Sequence, residues 1–331
     1  MQYSKYIGHE NQISGVEEVR LVEGRGNNMR LFQARNGQGL ECAISVDRCA
    51  DIYRVTFKGY NIGYFAPCGW VAPTYYNCEN QNSWLPTFTG GFLTTCGLEN
   101  AGIPCNDDGE VLPQHGTIAN TPAEHAFWCR EKDALVIEAD IRDAQLFKRK
   151  LILHRNIRIS TVENKITVTD TVENLGHETS PVMMMYHMNM GYPLLSENSI
   201  VDIPSDAVVA RDARAAEDLD THLKILKPTA GFEEQCYFHS FNDIGKAKIF
   251  NPEIGVGLSI SYDAKNLPCL TEWKMMGEHD YVLGLEPGNC TPMGRENLRK
   301  DGNLQFVNPG ESVTFTFDVD FFNDINSWEL A

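Results

Sequence analysis

The C-terminal segment of the chain alternates strictly between apolar and polar residues. In VTFTFDVDFF (residues 313–322) the odd-numbered positions are valine or phenylalanine, and the even-numbered positions up to 320 are threonine or aspartate. Because side chains two residues apart share a face of a strand, one face of this segment must pack on a core. Three further segments repeat the pattern with β-branched and apolar residues: ALVIEADIRD (134–143), LILHRNIRIS (151–160) and KITVTDTVEN (165–174). Such segments predict half-buried antiparallel strands.

Turn motifs such as ENLGHE, NPEIGVG, VNPGES and EPGNC separate the strand-like segments, and only DARAAEDLDTHL (212–223) has a helical pattern. Strands joined by turns, without βαβ alternation, predict an all-β fold built as a large antiparallel β-sandwich with few short helices. Residues 59–110 are rich in Gly, Pro, Asn, Tyr, Trp and Cys with weak periodicity, so they are either functional loop or unrecognised strand. Without a linker-like break, residues 1–331 are expected to form a single domain.

The charge balance narrows the range of partners. Lys and Arg total 28 against 45 Asp and Glu, a formal net charge of −17. The negative electrostatic potential of such a chain disfavours binding to nucleic acid and to anionic membrane surfaces. The longest apolar segments are too short to cross a bilayer. None of the ten cysteines forms a C-x-x-C pair, and the first ten residues resemble no signal peptide. We therefore expect a cytoplasmic protein with free thiols and no metal site.

The methionine-rich segment VMMMYHMNMGYPLL (182–195) carries two polar residues in apolar surroundings. As a strand, it would place His187 and Asn189 on the same face as Met183 and Met185. Both faces are mostly apolar, which predicts a central strand covered on both sides. A buried histidine must find partners or stay neutral. His187 is therefore either a satisfied core residue or an ionisable group at the floor of a pocket.

A carboxylate follows a second apolar segment, YVLGLEPGN (281–289). Glu286 is expected to end a strand just before a Pro-Gly turn, where it is either a general base or a solvated strand end.

Three other polar residues stand in contexts with both structural and functional explanations. Arg48 lies in SVDRCADI (45–52), in which Val46 to Asp51 are predicted to form a strand followed by a turn. Asn100 lies in LTTCGLENAG (93–102), whose small residues suit either close approach of a ligand or a tight core turn. His115 lies in the loop motif QHG and is either a solvated loop residue or a site residue.

Taken in order, these residues resemble a known family. Arg48 after an early strand, His115 before a glycine, His187 in YHMNMG and Glu286 in LGLEPG are similar to the galactose mutarotase-like superfamily of aldose 1-epimerases. The resemblance extends from about residue 25 to 320, and it is closest to a branch known only as a domain of unknown function. It implies a large twisted β-supersandwich with an active cleft across one sheet.

The resemblance also implies an isomerase that interconverts the anomers of a cyclic sugar. Glu286 would take the proton of the C1 hydroxyl, His187 would protonate the ring oxygen, His115 would assist there, and Arg48 would bind sugar hydroxyls. No cofactor is implied. These roles need a protonated His187 beside an ionised Glu286, so a bell-shaped dependence of rate on pH is expected.

Further substrate contacts are expected from four residues: Asn189, Asn100, Trp273 for stacking on a sugar face, and Lys274 as a donor. Members of the superfamily often supply one more acidic residue from a strand between the second histidine and the glutamate. Its candidates in this chain are Asp243, Asp263 and Glu272.

Alternative functions on the same fold stay open. A sugar-phosphate epimerase would need convergent cations, for which Arg48, Lys274 and Arg295 are available. Isomerisation of an unusual sugar and non-catalytic carbohydrate binding are the others. The sequence leaves the sugar unidentified, and it leaves open whether the protein forms a homodimer.

Overall fold

A computed structural model of the chain describes residues 5–80 and 83–331. The first sheet contains neighbouring antiparallel strands in chain order. These are β1 (Gly15–Arg20), β2 (Arg30–Arg35), β3 (Leu40–Ser45), β4 (Asp51–Phe57) and β5 (Tyr60–Asn61). Strand β3 ends at Ser45, and Val46 to Ala50 form the turn before β4. The strand expected to begin at Val46 is therefore wrong, and Arg48 lies in the turn.

The weakly periodic segment 59–110 contains short strands as well as loops. After β5 come β6 (Tyr64–Phe65), β7 (Gly90–Gly91), β8 (Leu93–Leu98), β9 (Cys105–Asp107) and β10 (Glu110–Leu112). Strand β6 pairs with β7, and β9 pairs with β10. Every residue of β8 is buried, which removes the alternation by which a strand is recognised in a sequence.

The next strands build one long sheet. They are β11 (His125–Arg130), β12 (Ala134–Ala144), β13 (Lys150–Ser160) and β14 (Lys165–Asn174). The four strands predicted from alternation correspond to β12, β13, β14 and the final strand of the chain, and all four predictions are confirmed. The long sheet runs in the order β11-β12-β13-β14, then that final strand, then three strands from the intervening chain.

The remaining strands complete the long sheet and form a third one. They are β15 (Ser180–Pro181), β16 (Met183–Met190), β17 (Ile200–Asp202), β18 (Ala207–Ala210), β19 (Gln235–Ser240), β20 (Ile244–Asn251), β21 (Val256–Asp263), β22 (Cys269–Met276), β23 (Tyr281–Gly288), β24 (Phe306–Val307) and β25 (Ser312–Phe322). Strands β25-β21-β20-β17 follow β14 in the long sheet, and β15 pairs with β24. The third sheet, here called the cleft sheet, has the order β18-β19-β22-β23-β16-β8.

Helices are short. They are α1 (Ala213–Ala216), α2 (Arg295–Lys300) and α3 (Ile325–Leu330). Single 3₁₀ turns occur at Glu10–Gln12, Pro73–Tyr75, Leu85–Thr87, Ile118–Asn120 and Leu219–Thr221. The helix predicted over 212–223 is therefore only α1 plus the last of these turns. Asp212 caps α1 by accepting a hydrogen bond from the backbone N–H of Ala215.

The central methionine strand β16 is buried along its whole length, as the sequence predicted. Its even-numbered residues join the main core with β25, where the Tyr186 ring lies 4.6 Å from that of Phe317. Met183 and Met185 belong instead to a smaller cluster on the other face. The cleft sheet therefore has a core face, which packs toward the long sheet, and a cleft face.

Within residues 5–80 and 83–331, no helix is both long and apolar enough to span a lipid bilayer.

Candidate active site

His187 and Glu286 meet on the cleft face of the cleft sheet. Strands β16 and β23 pair Met185 with Gly288 and Met188 with Leu285, a register that places His187 opposite Glu286. The imidazole Nδ1 lies 3.2 Å from the carboxyl Oε1, yet the two atoms are not aligned as a hydrogen bond. Among the described residues, neither atom has another hydrogen-bond partner. Polar atoms buried in this state are ready to bind a ligand.

Glu286 lies within β23 and does not end it, because the strand continues to Gly288. The expectation of a strand end before a Pro-Gly turn is therefore wrong. The Glu286 side chain is 2% exposed, so it is not a solvated strand end either. A glycine two residues earlier makes room for the carboxyl, since a Cβ on Gly284 would lie 2.3 Å from Oε1.

Burial sets the protonation of the pair. Desolvation raises the pKa of Glu286 well above its usual value, and the nearby charge of Glu234 raises it further. Desolvation also lowers the pKa of His187 to about 4, although the nearby Asn189 side chain works in the opposite direction. Burial therefore favours a neutral carboxyl and a neutral imidazole. This differs from the expected ion pair because loss of hydration outweighs the attraction between the two charged forms.

His115 reaches the same cleft from the loop after β10. Its backbone is held at both ends, since its N–H donates to Gly102 and its carbonyl accepts from Gly97. Its Nδ1 accepts a hydrogen bond from the N–H of Gly102 (3.2 Å), and its ring centroid lies 5.7 Å from that of His187. Burial lowers the pKa of His115 well below its usual value, and the charge of His187 adds to the effect. The neutral ring thus carries its proton on Nε2, as a donor.

The three residues line a cavity of about 490 Å³ with aromatic walls. The His187 ring lies 5.2 Å from the rings of Phe88 and Trp273, and Trp84 lies 4.8 Å from His115. A second cavity of about 490 Å³ adjoins the first across Phe88 and Trp273. Cavities of this size, with apolar walls and a few polar groups, are typical of small-molecule sites.

A charged network at the cleft fixes the orientation of Trp273. The indole N–H donates to Oε2 of Glu234 (2.8 Å). The other carboxylate oxygen of Glu234, Oε1, lies 3.1 Å from the guanidinium of Arg211. Arg211 also pairs with Asp212 and donates to the thiol sulfur of Cys236. Sequence reasoning missed Arg211, Glu234 and Cys236, because they stand in no motif and reach the cleft only through the pairing of β19 with β22.

Comparison with known families identifies the chain. Residues 26–321 match DUF4432, which is described as a domain of unknown function. The chain belongs to the DUF4432 family. Among curated protein sequences, none matches it at a significant level.

Solved structures share the fold of this DUF4432 protein. A proposed aldose 1-epimerase from Klebsiella pneumoniae subsp. pneumoniae MGH 78578 is 24% identical, with a TM-score of 0.90 over 97% of this chain and 88% of that one. A galactose mutarotase-like protein from Clostridium acetobutylicum is 15% identical, with a TM-score of 0.68 over 95% and 100%. A proposed aldose 1-epimerase from Escherichia coli K12 is 15% identical, with a TM-score of 0.60 over 93% and 99%. The predicted resemblance and fold class, a galactose mutarotase-like β-sandwich, are confirmed.

Two of the expected substrate contacts support the DUF4432 cleft from behind. The two terminal guanidinium nitrogens of Arg48 donate to the backbone carbonyls of Val71 and Thr87. Arg48 therefore holds the loop that carries Phe88. Asn189 is fully buried, and its amide donates to the carbonyls of Gly91 and His187. Neither residue lines the cavity.

Of the other three expected contacts, only one lies at the cavity. Trp273 lines the cavity, as described above. Asn100 is buried, and its side chain bonds the backbone of Ile103, Pro113 and Arg295. Lys274 points from the core face of the cleft sheet, and its ammonium donates to the carbonyl of His222 (2.7 Å).

The candidates for a further acidic residue do not reach the cleft. Asp243 and Asp263 flank the β20–β21 hairpin, and Glu272 lies on the core face of β22. Two acidic residues that lie between His187 and Glu286 in the sequence line the cavity, Asp212 and Glu234. Glu234, which immediately precedes β19, is the one that holds Trp273.

Proposed function

We propose that this protein is a sugar mutarotase of the aldose 1-epimerase type, an isomerase that interconverts the anomers of a cyclic sugar. The proposal depends on one observation above all. His187 and Glu286 face each other at 3.2 Å at the floor of a cleft, and neither facing atom has a hydrogen-bond partner among the described residues. A proton donor and a proton acceptor beside one cavity are what ring opening requires.

The reaction conserves the protons of the pair. One group takes the proton of the C1 hydroxyl while the other donates a proton to the ring oxygen. The bond between C1 and the ring oxygen breaks, and C1 becomes an aldehyde. After rotation about the C1–C2 bond, the ring oxygen attacks the other face of the carbonyl, and both protons return. A pair that holds one proton in total can perform this sequence with the proton starting on either group.

This symmetry reconciles the proposed roles with the protonation that burial favours. Glu286 as base and His187 as acid need the proton on the imidazole, whereas burial favours it on the carboxyl. Both arrangements contain the same number of protons, so binding of a sugar has only to move one proton between the two groups. Acid-base groups of this kind contribute about 10² to 10⁴-fold each to the rate.

Other cleft residues would position the sugar. The Nε2–H of His115 is a neutral donor for the ring oxygen or a hydroxyl. The Trp273 indole, held by Glu234, offers a flat face for the C–H bonds of the ring. The carboxylate oxygens of Glu234 already face Trp273 and Arg211, and their remaining lone pairs would accept from sugar hydroxyls, which is the part expected of the further acidic residue.

The cations suggested for a phosphate site do not converge on the cleft. Arg48 is bound to carbonyls, Lys274 lies on the other face, and the Arg295 guanidinium pairs with Asp107 and Glu110. We therefore favour an unphosphorylated sugar. Inorganic phosphate at millimolar concentration should leave the exchange rate unchanged, and competitive inhibition would restore the sugar-phosphate alternative.

The direct test is anomeric exchange across a panel of aldoses, measured by NMR saturation transfer. We expect at least one sugar to exchange faster with the wild-type protein than with Glu286→Gln. The matched control is Glu253→Gln, an exposed glutamate in the turn after β20, which should exchange as the wild type does. If wild type and Glu286→Gln bind a sugar equally and neither accelerates exchange, the protein is a binding module and the mutarotase proposal fails.

A further inference from the structure

A second cluster of histidine and glutamate lies on the core face of the cleft sheet. His222 Nδ1 is 2.7 Å and His239 Nε2 is 3.2 Å from the same oxygen of Glu272, Oε2. Strands β19 and β22 pair Tyr237 with Glu272, so the side chains of Tyr237, His239 and Glu272 share this face. His222 comes from the chain between β18 and β19, directly after the 3₁₀ turn Leu219–Thr221. The cluster therefore joins that connecting segment to the sheet.

The donor atoms are spaced as metal ligands are. One atom from each residue can be chosen so that all three lie within 4.8 Å of one another. Around a tetrahedral Zn²⁺ ion, with bonds of about 2.0–2.2 Å, neighbouring ligand atoms are roughly 3.3 Å apart. Two imidazoles and one carboxylate are a common ligand set for divalent transition metals. Small side-chain shifts would place these three around one ion.

Two buried oxygens beside the cluster have no hydrogen-bond partner among the described residues. They are Glu272 Oε1 and the hydroxyl of Tyr237, both on residues that are fully buried. The Tyr237 ring lies 5.2 Å from that of His222. The hydrogen bonds from the two histidines satisfy Glu272 Oε2 only, and they leave Glu272 Oε1 and the Tyr237 hydroxyl without a partner among the described residues. An ion would also employ oxygens that the protein leaves unsatisfied.

The surroundings hold the ligands as metal sites usually do. Ser205 Oγ lies 2.9 Å from His239 Nδ1, which leaves the Nε2 of that ring free to face Glu272. Such a partner on the second ring nitrogen sets the tautomer and the orientation of a ligating histidine. Lys274, on the same face of β22 as Glu272, donates to the carbonyl of His222 and so fixes the backbone of the third ligand.

We propose that His222, His239 and Glu272 bind one divalent transition-metal ion, of which Zn²⁺ is the best match. The site is distinct from the cleft, because it lies on the opposite face of the sheet. Its role is structural: the ion ties the segment 211–222 to strands β19 and β22. Arg211 begins that segment, and Trp273 follows Glu272, so the ion would stiffen one wall of the cleft. This proposal departs from the expectation of no metal site drawn from the sequence.

The test is metal binding by the full-length protein after dialysis against a chelator. Titration with Zn²⁺ should give one ion per chain for the wild type, and Zn²⁺ should raise its Tm. His222→Ala removes the least buried ligand and should weaken binding by at least about 100-fold. Glu272→Gln keeps the shape of the side chain and should also weaken binding strongly. His154→Ala, which removes a half-exposed histidine lying between Asp140 and Glu173, is the matched control and should bind as the wild type does.

Cobalt distinguishes this site from adventitious binding by the ten cysteines. Co²⁺ in the proposed site should show weak visible bands without the intense near-ultraviolet charge-transfer band of a thiolate ligand. Ser205→Ala should weaken binding about tenfold while leaving the stoichiometry unchanged. The proposal is overturned if the wild type binds no stoichiometric Zn²⁺ at micromolar concentration. It is equally overturned if folded His222→Ala, checked by circular dichroism, binds as tightly as the wild type.

Discussion

The two faces of the cleft sheet carry the same residue types in opposite settings. On the cleft face, His187 and Glu286 adjoin a cavity, with facing atoms that lack hydrogen-bond partners among the described residues. On the core face, Glu272 accepts from both His222 and His239, and none of these three residues lines either cavity of the cleft. Glu286 therefore faces the cavity available to a substrate, whereas Glu272 already has one oxygen, Oε2, held by two histidines.

The pKa values follow the same division. Burial raises the pKa of Glu286, where the described residues place no hydrogen-bond donor on Oε1. The pKa of Glu272 is lowered, although burial opposes this, because two histidines donate to the carboxylate. Equal burial thus produces opposite protonation, and the partners decide which. A buried carboxyl therefore has a raised pKa where donors are missing and a lowered pKa where two donors reach it.

The largest expected effect is on kcat, which should depend far more on His187 of the cleft face than on His222 of the core face. His187→Asn should lower kcat for anomeric exchange by about 10² to 10³-fold, because it removes one of the two proton-transfer groups. His222→Ala should change kcat less than tenfold, since His222 lies on the other face. The measurement is the rate of exchange by polarimetry or NMR on a sugar that the wild type accepts. Equal losses in the two variants would contradict the division of roles.

The next effect concerns stability in acid. The pKa of His187 is about 4 in the folded protein, below the usual 6.5, so the unfolded chain binds more protons in this interval. Its contribution is fully present above pH 6.5 and is lost as the pH falls through 4, by up to about 3 kcal/mol. Urea unfolding of wild type and His187→Asn from pH 7 to 4 measures this, and the variant should lose less stability over the interval.

The contribution of Glu286 to the free energy of unfolding changes with pH in the opposite direction. Its pKa is raised on folding, so its contribution is present below about pH 4.5 and is lost as the pH rises through the raised value. Glu286→Gln should therefore be more stable than the wild type at neutral and alkaline pH. A variant that is less stable there would indicate that the carboxylate has a partner in the folded state.

The pH dependence of the rate tests the shared proton. The pair holds two protons below the pKa of His187, near 4, and none above the raised pKa of Glu286. Activity should be highest between these limits and should fall about tenfold per pH unit outside them. The profile of kcat/KM against pH measures both limits. A rate that stays constant from pH 5 into the strongly alkaline range would contradict the role of Glu286.

The smallest effect comes from two neighbours on β22. Trp273→Ala should raise KM about tenfold by removing a stacking surface worth about 1.4 kcal/mol, with a smaller change in kcat. Lys274→Met should leave KM within about twofold, because Lys274 points to the other face. Initial rates over a range of sugar concentrations provide the comparison. If Lys274→Met has the larger effect on KM, the assignment of faces is wrong.

Much of the fold could be read from local pattern. The strands predicted at 134–143, 151–160, 165–174 and 313–322 agree with β12, β13, β14 and β25 to within a residue or two at their ends. They were recognisable because one face of each is buried and the other is not. Strand β8 has both faces buried, so it lacked that alternation and stayed within an unassigned segment.

The candidate site was only partly predictable. His187, Glu286 and His115 line one cavity, whereas Arg48 and Asn100 bond the backbone behind it. A charged or amide side chain in a short motif has no local mark that tells a ligand contact from a backbone partner. Glu234 and Arg211 had no motif at all, and only strand pairing brings them to the cleft.

The sequence alone determined which segments are strands and which residues of each strand share a face, because side chains alternate with a period of two. It could not determine which face would border a cavity. That depends on which strands become neighbours and what covers them, and these contacts join residues far apart in the chain. His222, His239 and Glu272 are the clearest case, since spacings of 17 and 33 residues form no motif. Only the tertiary structure made one group of histidine and glutamate the floor of a cleft and the other a candidate metal site.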